Sequence, residues 1–498
     1  MTRIVSIPEF LKAGADKWPD TPWCRTPSGG VVTRSELYND ALRCAGGLKE
    51  LGVNPGERVV ICLPNGHDFL RAWFSIALIG AVSVAVNPAS APELPTVVRD
   101  VNARYIIAEP RAEVPTTTAR IIGVSDLIDS EPTKPAEVSP DEIASLIQSS
   151  GSSGHPKFVI ENHKMYTLGA EGYPYWLGIG EEDVLLTTLP LSHLNAQVYS
   201  TLGSFGCGAE LILLPRFSAR NFWRSVNDYG VTAFNAIGAM LEILMSRPPS
   251  PEESAHKVRI CYSAPAPTPE RHDEIEKRFG FRLVIGYALS ETPYGLVASL
   301  QEPTVYGSMG RPRQHPVHGT INQARIADEY GERVATGQTG ELQLFNPAIT
   351  PGYVGSGDEK LSLTDDGWLR TGDLAYADSR NNYFFAGRIK EMIRRRGENL
   401  SAAEVEKVLD DHPSIASSAV IGVPSPLGEE DIKAFIMLQS GSQLDGAQVV
   451  SWCQDRLPPF KQPRYVEFVD TWPLTSTMKI AKKSLSRSRT QNEIDLEQ

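Results

Sequence analysis

Through the first three hundred residues, short apolar runs bounded by Gly, Pro or Asn alternate with longer stretches whose apolar positions recur every three or four residues. Arg58-Val59-Val60-Ile61-Cys62-Leu63 and Ala209-Glu210-Leu211-Ile212-Leu213-Leu214 read as buried strands, and residues 33–51 read as a helix. The longest apolar stretch, residues 73–86, is interrupted by Ser75, Gly80 and Ser83 and reads as a buried helix running into a core strand. This alternation predicts an α/β fold with largely parallel sheets. Residues 132–140 read as a surface loop ahead of the next strand. From 317 to 375 the punctuation changes to closely spaced strands and turns, as in Gly340-Glu341-Leu342-Gln343-Leu344-Phe345, which predicts a smaller β-rich subdomain. Beyond Gly387 the pattern restarts as β, then a helix over 402–411 with Val405, Val408 and Leu409 on its apolar face, then further strands. That predicts a compact α+β unit, so the chain divides into residues 1–386 and 387–498.

A length of 498 residues exceeds one ordinary core and agrees with several subdomains plus a terminal unit. The 60 acidic and 48 basic residues leave a formal charge of −12, which argues against nucleic acid or an anionic membrane as a partner. Any cation serving an anionic ligand must therefore be local. Cys24, Cys44, Cys62, Cys207, Cys261 and Cys453 are scattered, without a CxxC pair or a Cys/His cluster. That argues against a disulfide framework and a structural zinc site, and predicts a reducing, cytoplasmic location. No secretory leader and no membrane span is expected.

The densest chemistry lies in Ser149-Ser150-Gly151-Ser152-Ser153-Gly154-His155-Pro156-Lys157, between two strand-like segments. Glycines let backbone N–H groups approach an anion, serines add rotatable donors, and Lys157 adds charge: a phosphate-holding composition. A mononucleotide P-loop is a poor match, because Phe158 stands where that motif needs Ser or Thr and the chain continues as a strand. Taken alone, the run reads more readily as a flexible turn, but it does not stand alone. Leu283-Val284-Ile285-Gly286-Tyr287-Ala288-Leu289-Ser290-Glu291-Thr292 reads as a buried strand ending in an aromatic ring, a hydroxyl and a carboxylate. Farther on come Gly367-Trp368-Leu369-Arg370-Thr371-Gly372-Asp373, Gly387-Arg388-Ile389-Lys390, Arg395-Arg396-Gly397-Glu398-Asn399 and Pro473-Leu474-Thr475-Ser476-Thr477-Met478-Lys479.

In this order the six motifs resemble the adenylate-forming superfamily, and within it the acyl-CoA synthetases, over nearly the whole chain. The resemblance implies an ATP- and Mg2+-dependent acid-thiol ligase that makes an acyl-AMP and passes the acyl group to coenzyme A. By the same resemblance, Ser149, Ser150, Gly151, Ser152, Ser153, Gly154 and Lys157 hold the β- and γ-phosphates, Glu291 holds Mg2+, and Ser290 donates to the α-phosphate. Tyr287 and the segment Ser263-Ala264-Pro265 flank adenine, Asp373, read as lying in a turn, accepts the ribose hydroxyls, and Arg388 assists at ribose and phosphate. His193 gates the acyl carboxylate, although the bland reading is a satisfied core histidine. Lys479 bridges carboxylate and α-phosphate during adenylation. The unit 387–498 then turns about Lys390 so that Arg396, Gly397 and Glu398 replace the Lys479 loop. Arg394, Arg395 and Arg396 read as a basic cluster for CoA phosphates or as solvated charge. The resemblance also points to a homodimer.

Phe234-Asn235-Ala236-Ile237-Gly238-Ala239-Met240 brings small side chains to the acyl pocket and no acidic residue, which favours an apolar carboxylic acid over an amino acid. Which acid is not legible. Departures from the family pattern at Phe158, Ala288, Ser290 and Met478 all touch ATP or the adenylation loop. They open two alternatives: an enzyme that only transfers a ready-made acyl-AMP to CoA, and one that loads a carrier protein.

Overall fold

The computed structural model describes every residue except 1–2, 110–114, 116, 150–156, 356–359, 396–397, 426–428, 440, 474–479, 491–492 and 497–498. Among the described residues the strands form a 13-stranded sheet, a 7-stranded sheet, a two-stranded ribbon and a four-stranded sheet. Strands Ile260–Ala264 and Arg282–Leu289 run parallel with Ala233–Ile237, Val184–Thr187, Glu210–Leu213 and Pro22–Thr26 at the heart of the first sheet. The second sheet is parallel through Val82–Ala85, Arg58–Cys62 and Tyr105–Ala108 and closes on the antiparallel pair Ile143–Ser149 and Lys157–Asn162.

The predicted elements recur with local reasons. Helix Arg34–Glu50 starts on a capping box in which Thr33 and Glu36 satisfy each other's backbone N–H. Its Leu37, Ala41, Cys44, Ala45 and Leu48 form one fully buried stripe. The apolar stretch at 73–86 is the end of helix His67–Leu78 followed by strand Val82–Ala85, as its interruptions predict. All six cysteines are free, and no described helix is long and apolar enough to cross a membrane.

The β-rich segment continues the large sheet: hairpin Arg282–Leu289/Thr292–Val297 carries hydrogen bonding from the parallel strands into Ser308–Pro312, Tyr383–Arg388, Leu369–Ala377 and Gly340–Phe345. It does keep a separate hydrophobic cluster, with Leu296, Met309, Leu342, Leu344 and Ala375. Beyond the 3-10 turn Ile389–Glu391, the ribbon Met392–Arg395/Glu398–Ser401, helix Ala402–Asp410 and the four-stranded sheet share clusters that contain no residue before Ile393.

Candidate active site

Two strands from different sheets meet at the phosphate-loop motif. Ser149 and Lys157 are Cα partners at the ends of the antiparallel pair, and residues 150–156 between them lie outside the described residues. Side chains alternate along Lys157–Asn162. Phe158 therefore turns away from Lys157 and is fully buried among Val60, Val84 and Val98. The bulky Phe158 ring fills the core behind the strand and stays off the Lys157 face.

Glu291 follows strand Arg282–Leu289 and reaches that side. Its Oε1 lies 3.8 Å from Lys157 Nζ and accepts a 2.9 Å hydrogen bond from the Tyr353 hydroxyl. Lys157 Nζ also stands 3.8 Å from the centre of the Tyr353 ring. The Glu291 carbonyl accepts from Thr350 N–H at 2.8 Å, and Thr350 Oγ1 donates to Ile160 O at 2.6 Å, which ties the Glu291 corner to the Lys157 strand. Tyr353 went unnoticed in the sequence, because Pro351-Gly352-Tyr353-Val354 carries no titratable group that stands out. Ser290 is half-buried in the turn before Thr292.

Asp373 lies within strand Leu369–Ala377 rather than in a turn. The register against Gly340–Phe345 shifts between Glu341 and Gln343, and Gly372 takes φ 71°, so Thr371-Gly372-Asp373 forms a bulge. A bulge and a turn share the positive-φ glycine, hence the misreading. Asp373 is buried, and Oδ2 accepts from the Tyr287 hydroxyl at 2.7 Å while Oδ1 meets Arg388 Nε at 3.0 Å. The register makes Asp373 and Arg388 direct partners. Burial, then the Asp373 charge, hold the Tyr287 phenol well above its ordinary pKa, so it remains a donor.

The residues expected on the acyl side also converge. Asn65 accepts from Leu191 N–H at 2.9 Å and donates to Leu189 O at 2.9 Å, while Gln197 Nε2 donates to Leu191 O at 2.7 Å. These bonds fix the loop that carries half-buried His193. Residues Asn195–Leu202 are π-helical, a conformation frequent at functional sites and not foreseen from sequence. Asn235 Nδ2 donates to Asn195 Oδ1 at 2.8 Å, joining the His193 segment to the 234–240 segment. Tyr173 in turn donates to Asn235 Oδ1, so this wall is an amide chain rather than purely apolar. Ser263 is buried with its Oγ unpartnered among the described residues, and Ala264 pairs with Ile237 at the strand ends.

The C-terminal motifs are only partly described. Lys390 is exposed in the 3-10 turn, and Glu398 is exposed opposite Arg395 in the ribbon. Arg396, Gly397 and Lys479 lie outside the described residues. The basic cluster is corrected at Arg395. The residue is 2 % exposed, and its guanidinium meets Asp431 Oδ1 at 3.1 Å and donates to Gln462 O at 2.6 Å, so it holds the unit together and is not offered to CoA. Arg394 is exposed, 3.6 Å from Glu429.

Another His/Glu grouping, Glu171, His315 and His318, has ligand atoms within 4.8 Å of one another. His315 Nδ1 accepts from the N–H groups of Val317 and His318, both at 3.1 Å. Two donors on Nδ1 keep the ring proton on Nε2, the atom 3.1 Å from Glu171, and a protonated nitrogen offers no lone pair to a metal.

The family model described as AMP-binding enzyme matches residues 11–354, and that of the AMP-binding enzyme C-terminal domain matches residues 404–479. The chain is 31% identical over 485 residues to a crotonobetaine/carnitine–CoA ligase of Proteus mirabilis, covering 91% of this chain and 92% of the relative. An anthranilate CoA ligase solved with anthranoyl-AMP superposes with a TM-score of 0.86 at 24% identity, over 96% of each chain. An o-succinylbenzoate coenzyme A synthetase of Bacillus subtilis, solved with ATP and a magnesium ion, superposes with a TM-score of 0.82 at 25% identity, covering 96% of this chain and 98% of that one.

Proposed function

Because the chain belongs to the AMP-binding enzyme family, we propose that it is an ATP-dependent acyl-CoA ligase that joins a carboxylic acid to coenzyme A through an acyl-AMP. The observation that carries this reading is the meeting of Lys157 and Glu291 at 3.8 Å, with Lys157 closing the Ser/Gly-rich motif. One cation and one carboxylate, brought from separate sheets to a loop rich in backbone donors, match the needs of a triphosphate and its metal.

In the first half-reaction the substrate carboxylate attacks the α-phosphorus of ATP and pyrophosphate leaves, a step governed by alignment and charge neutralisation. Lys157 and the loop hold the β- and γ-phosphates. Glu291 fits Mg2+: it is a half-buried oxygen ligand next to the phosphate cation, with Oε1 already oriented by Tyr353. When bound, the ion would neutralise phosphate charge. Asp373 accepts the ribose hydroxyls, with Tyr287 and Arg388 fixing its carboxylate, and His193 borders the acyl carboxylate at the end of the amide chain Asn195–Asn235–Tyr173. In the second half-reaction the CoA thiol attacks the acyl carbon and AMP leaves. Residues 387–498 turn about Lys390 between the steps, exchanging Lys479 for the loop of Arg396, Gly397 and Glu398. We place the reaction in the cytoplasm, where six unpaired cysteines stay reduced.

No acid lies in segment 234–240 to pair an amino group, so the substrate is a carboxylic acid without a free amine. Complete adenylation is favoured over transfer of a ready-made acyl-AMP, because Phe158 is withdrawn into the core. The test is pyrophosphate release with ATP and Mg2+ across a panel of carboxylic acids, each with and without CoA. Release confined to a few acids, with CoA-dependent AMP and thioester, is expected. Thioester from synthetic acyl-AMP plus CoA, without release from any acid, would instead favour the transfer-only enzyme.

A further inference from the structure

Lys157 and Glu291 must part for the reaction, the lysine toward phosphate oxygens and the carboxylate toward the metal. With only the two of them, opposite charges at this range would collapse into an ion pair that competes with both ligands. Tyr353 stands between these outcomes. It belongs to the short strand Tyr353–Val354, which pairs antiparallel with Phe158 and Val159 on the very strand that carries Lys157. Its Cα partner is Val159, two residues from Lys157 and on the same strand face. The ring takes the ammonium at 3.8 Å from its centre, within cation–π range, and the hydroxyl donates to Glu291 Oε1 at 2.9 Å. One oxygen of the carboxylate is thereby oriented, and the ammonium is held at a distance longer than a close ion pair.

We propose that Tyr353 is a positioning residue of the metal–nucleotide site: its hydroxyl sets Glu291 to receive the divalent cation, and its ring seats Lys157 until phosphate arrives. The proposal rests on the reading of Lys157 as phosphate cation and Glu291 as metal ligand. It separates two contributions within one side chain. Phenylalanine removes the hydroxyl and keeps the ring, whereas leucine removes both.

The test uses the full chain with a non-hydrolysable ATP analogue and follows Mn2+ binding by electron paramagnetic resonance, beside analogue binding in EDTA. The half-saturation point does not depend on the folded fraction, so modest destabilisation leaves it readable. Tyr353→Phe is expected to raise the Mn2+ half-saturation concentration roughly tenfold, the scale of a lost hydrogen bond to a charged group, with analogue binding in EDTA unchanged. Tyr353→Leu is expected to raise it as much and also to weaken analogue binding in EDTA, because Lys157 then falls onto Glu291. Glu291→Gln serves as the reference. If Glu291→Gln shifts Mn2+ binding and Tyr353→Phe does not, the role of Tyr353 is overturned while the site stands. If neither variant shifts it, the metal-ligand reading of Glu291 fails as well.

Discussion

A carboxyl group taken out of water and given no hydrogen bond keeps its proton to higher pH, and Glu161 meets both conditions. It is fully buried on the strand that carries Lys157, and neither oxygen has a partner among the described residues. Burial first, and the Glu291 charge second, push it well above the usual carboxylate range. Below the unfolded value of about 4.5 both states are protonated and there is no penalty. Above it the unfolded carboxyl ionises while the folded one stays neutral. Folding then takes up a proton, and stability falls by about 1.4 kcal/mol per pH unit until the folded value is reached. Glu161→Leu is therefore expected to raise the melting temperature, and to raise it more at pH 8 than at pH 5. Thermal unfolding at both values measures this. An equal shift at the two would mean that Glu161 does not titrate differently in the folded state.

Among the elements, legibility followed distance along the chain. Helix Arg34–Glu50 was readable because its buried stripe and its Thr33/Glu36 cap are local. The Lys157 strand was readable because its β-branched run is contiguous. Tyr353 was not: its meaning comes from pairing with Val159 across nearly two hundred residues, and no local pattern encodes that register. The π-helix at Asn195–Leu202 was hidden for another reason, since an extra residue per turn is set by packing and not by composition. Arg395 shows charge misread as surface. In the ribbon Met392–Arg395/Glu398–Ser401, alternation turns Arg394 outward and Arg395 inward onto Asp431. Removing it strips a buried charge pair, although Arg464 still meets Asp431 at 2.8 Å. Arg395→Ala is expected to destabilise the C-terminal unit by about 3 kcal/mol, while Arg394→Ala leaves its melting unchanged. Calorimetry of the two variants checks it; a selective rise in the KM for CoA with unchanged stability of Arg395→Ala would return that residue to the CoA site.

At the scale of the whole molecule, we propose that the C-terminal unit turns about the short segment at Lys390. The 3-10 turn Ile389–Glu391 follows the last strand of the large sheet and precedes clusters that draw on nothing upstream of Ile393. Lys482 meets Glu391 and Glu406, each at 2.7 Å, so the segment after the Lys479 loop is bound to the C-terminal side of Lys390 and would travel with it. On the other side, a side chain at Gly387 would come within 1.8 Å of Ser401 Oγ, so the two bodies touch backbone to side chain in this arrangement. A turn about Lys390 must break that contact and keep the Lys482 pairs. Proline at 390 fixes φ near −65° and restricts the change the turn requires. Lys390→Pro is expected to lower thioester formation from acyl-AMP and CoA roughly tenfold or more, while pyrophosphate release from acid and ATP stays within about threefold. Single-turnover measurement of each half-reaction, on a variant whose thermal unfolding matches the parent, decides it. Equal loss in both would move the hinge away from Lys390.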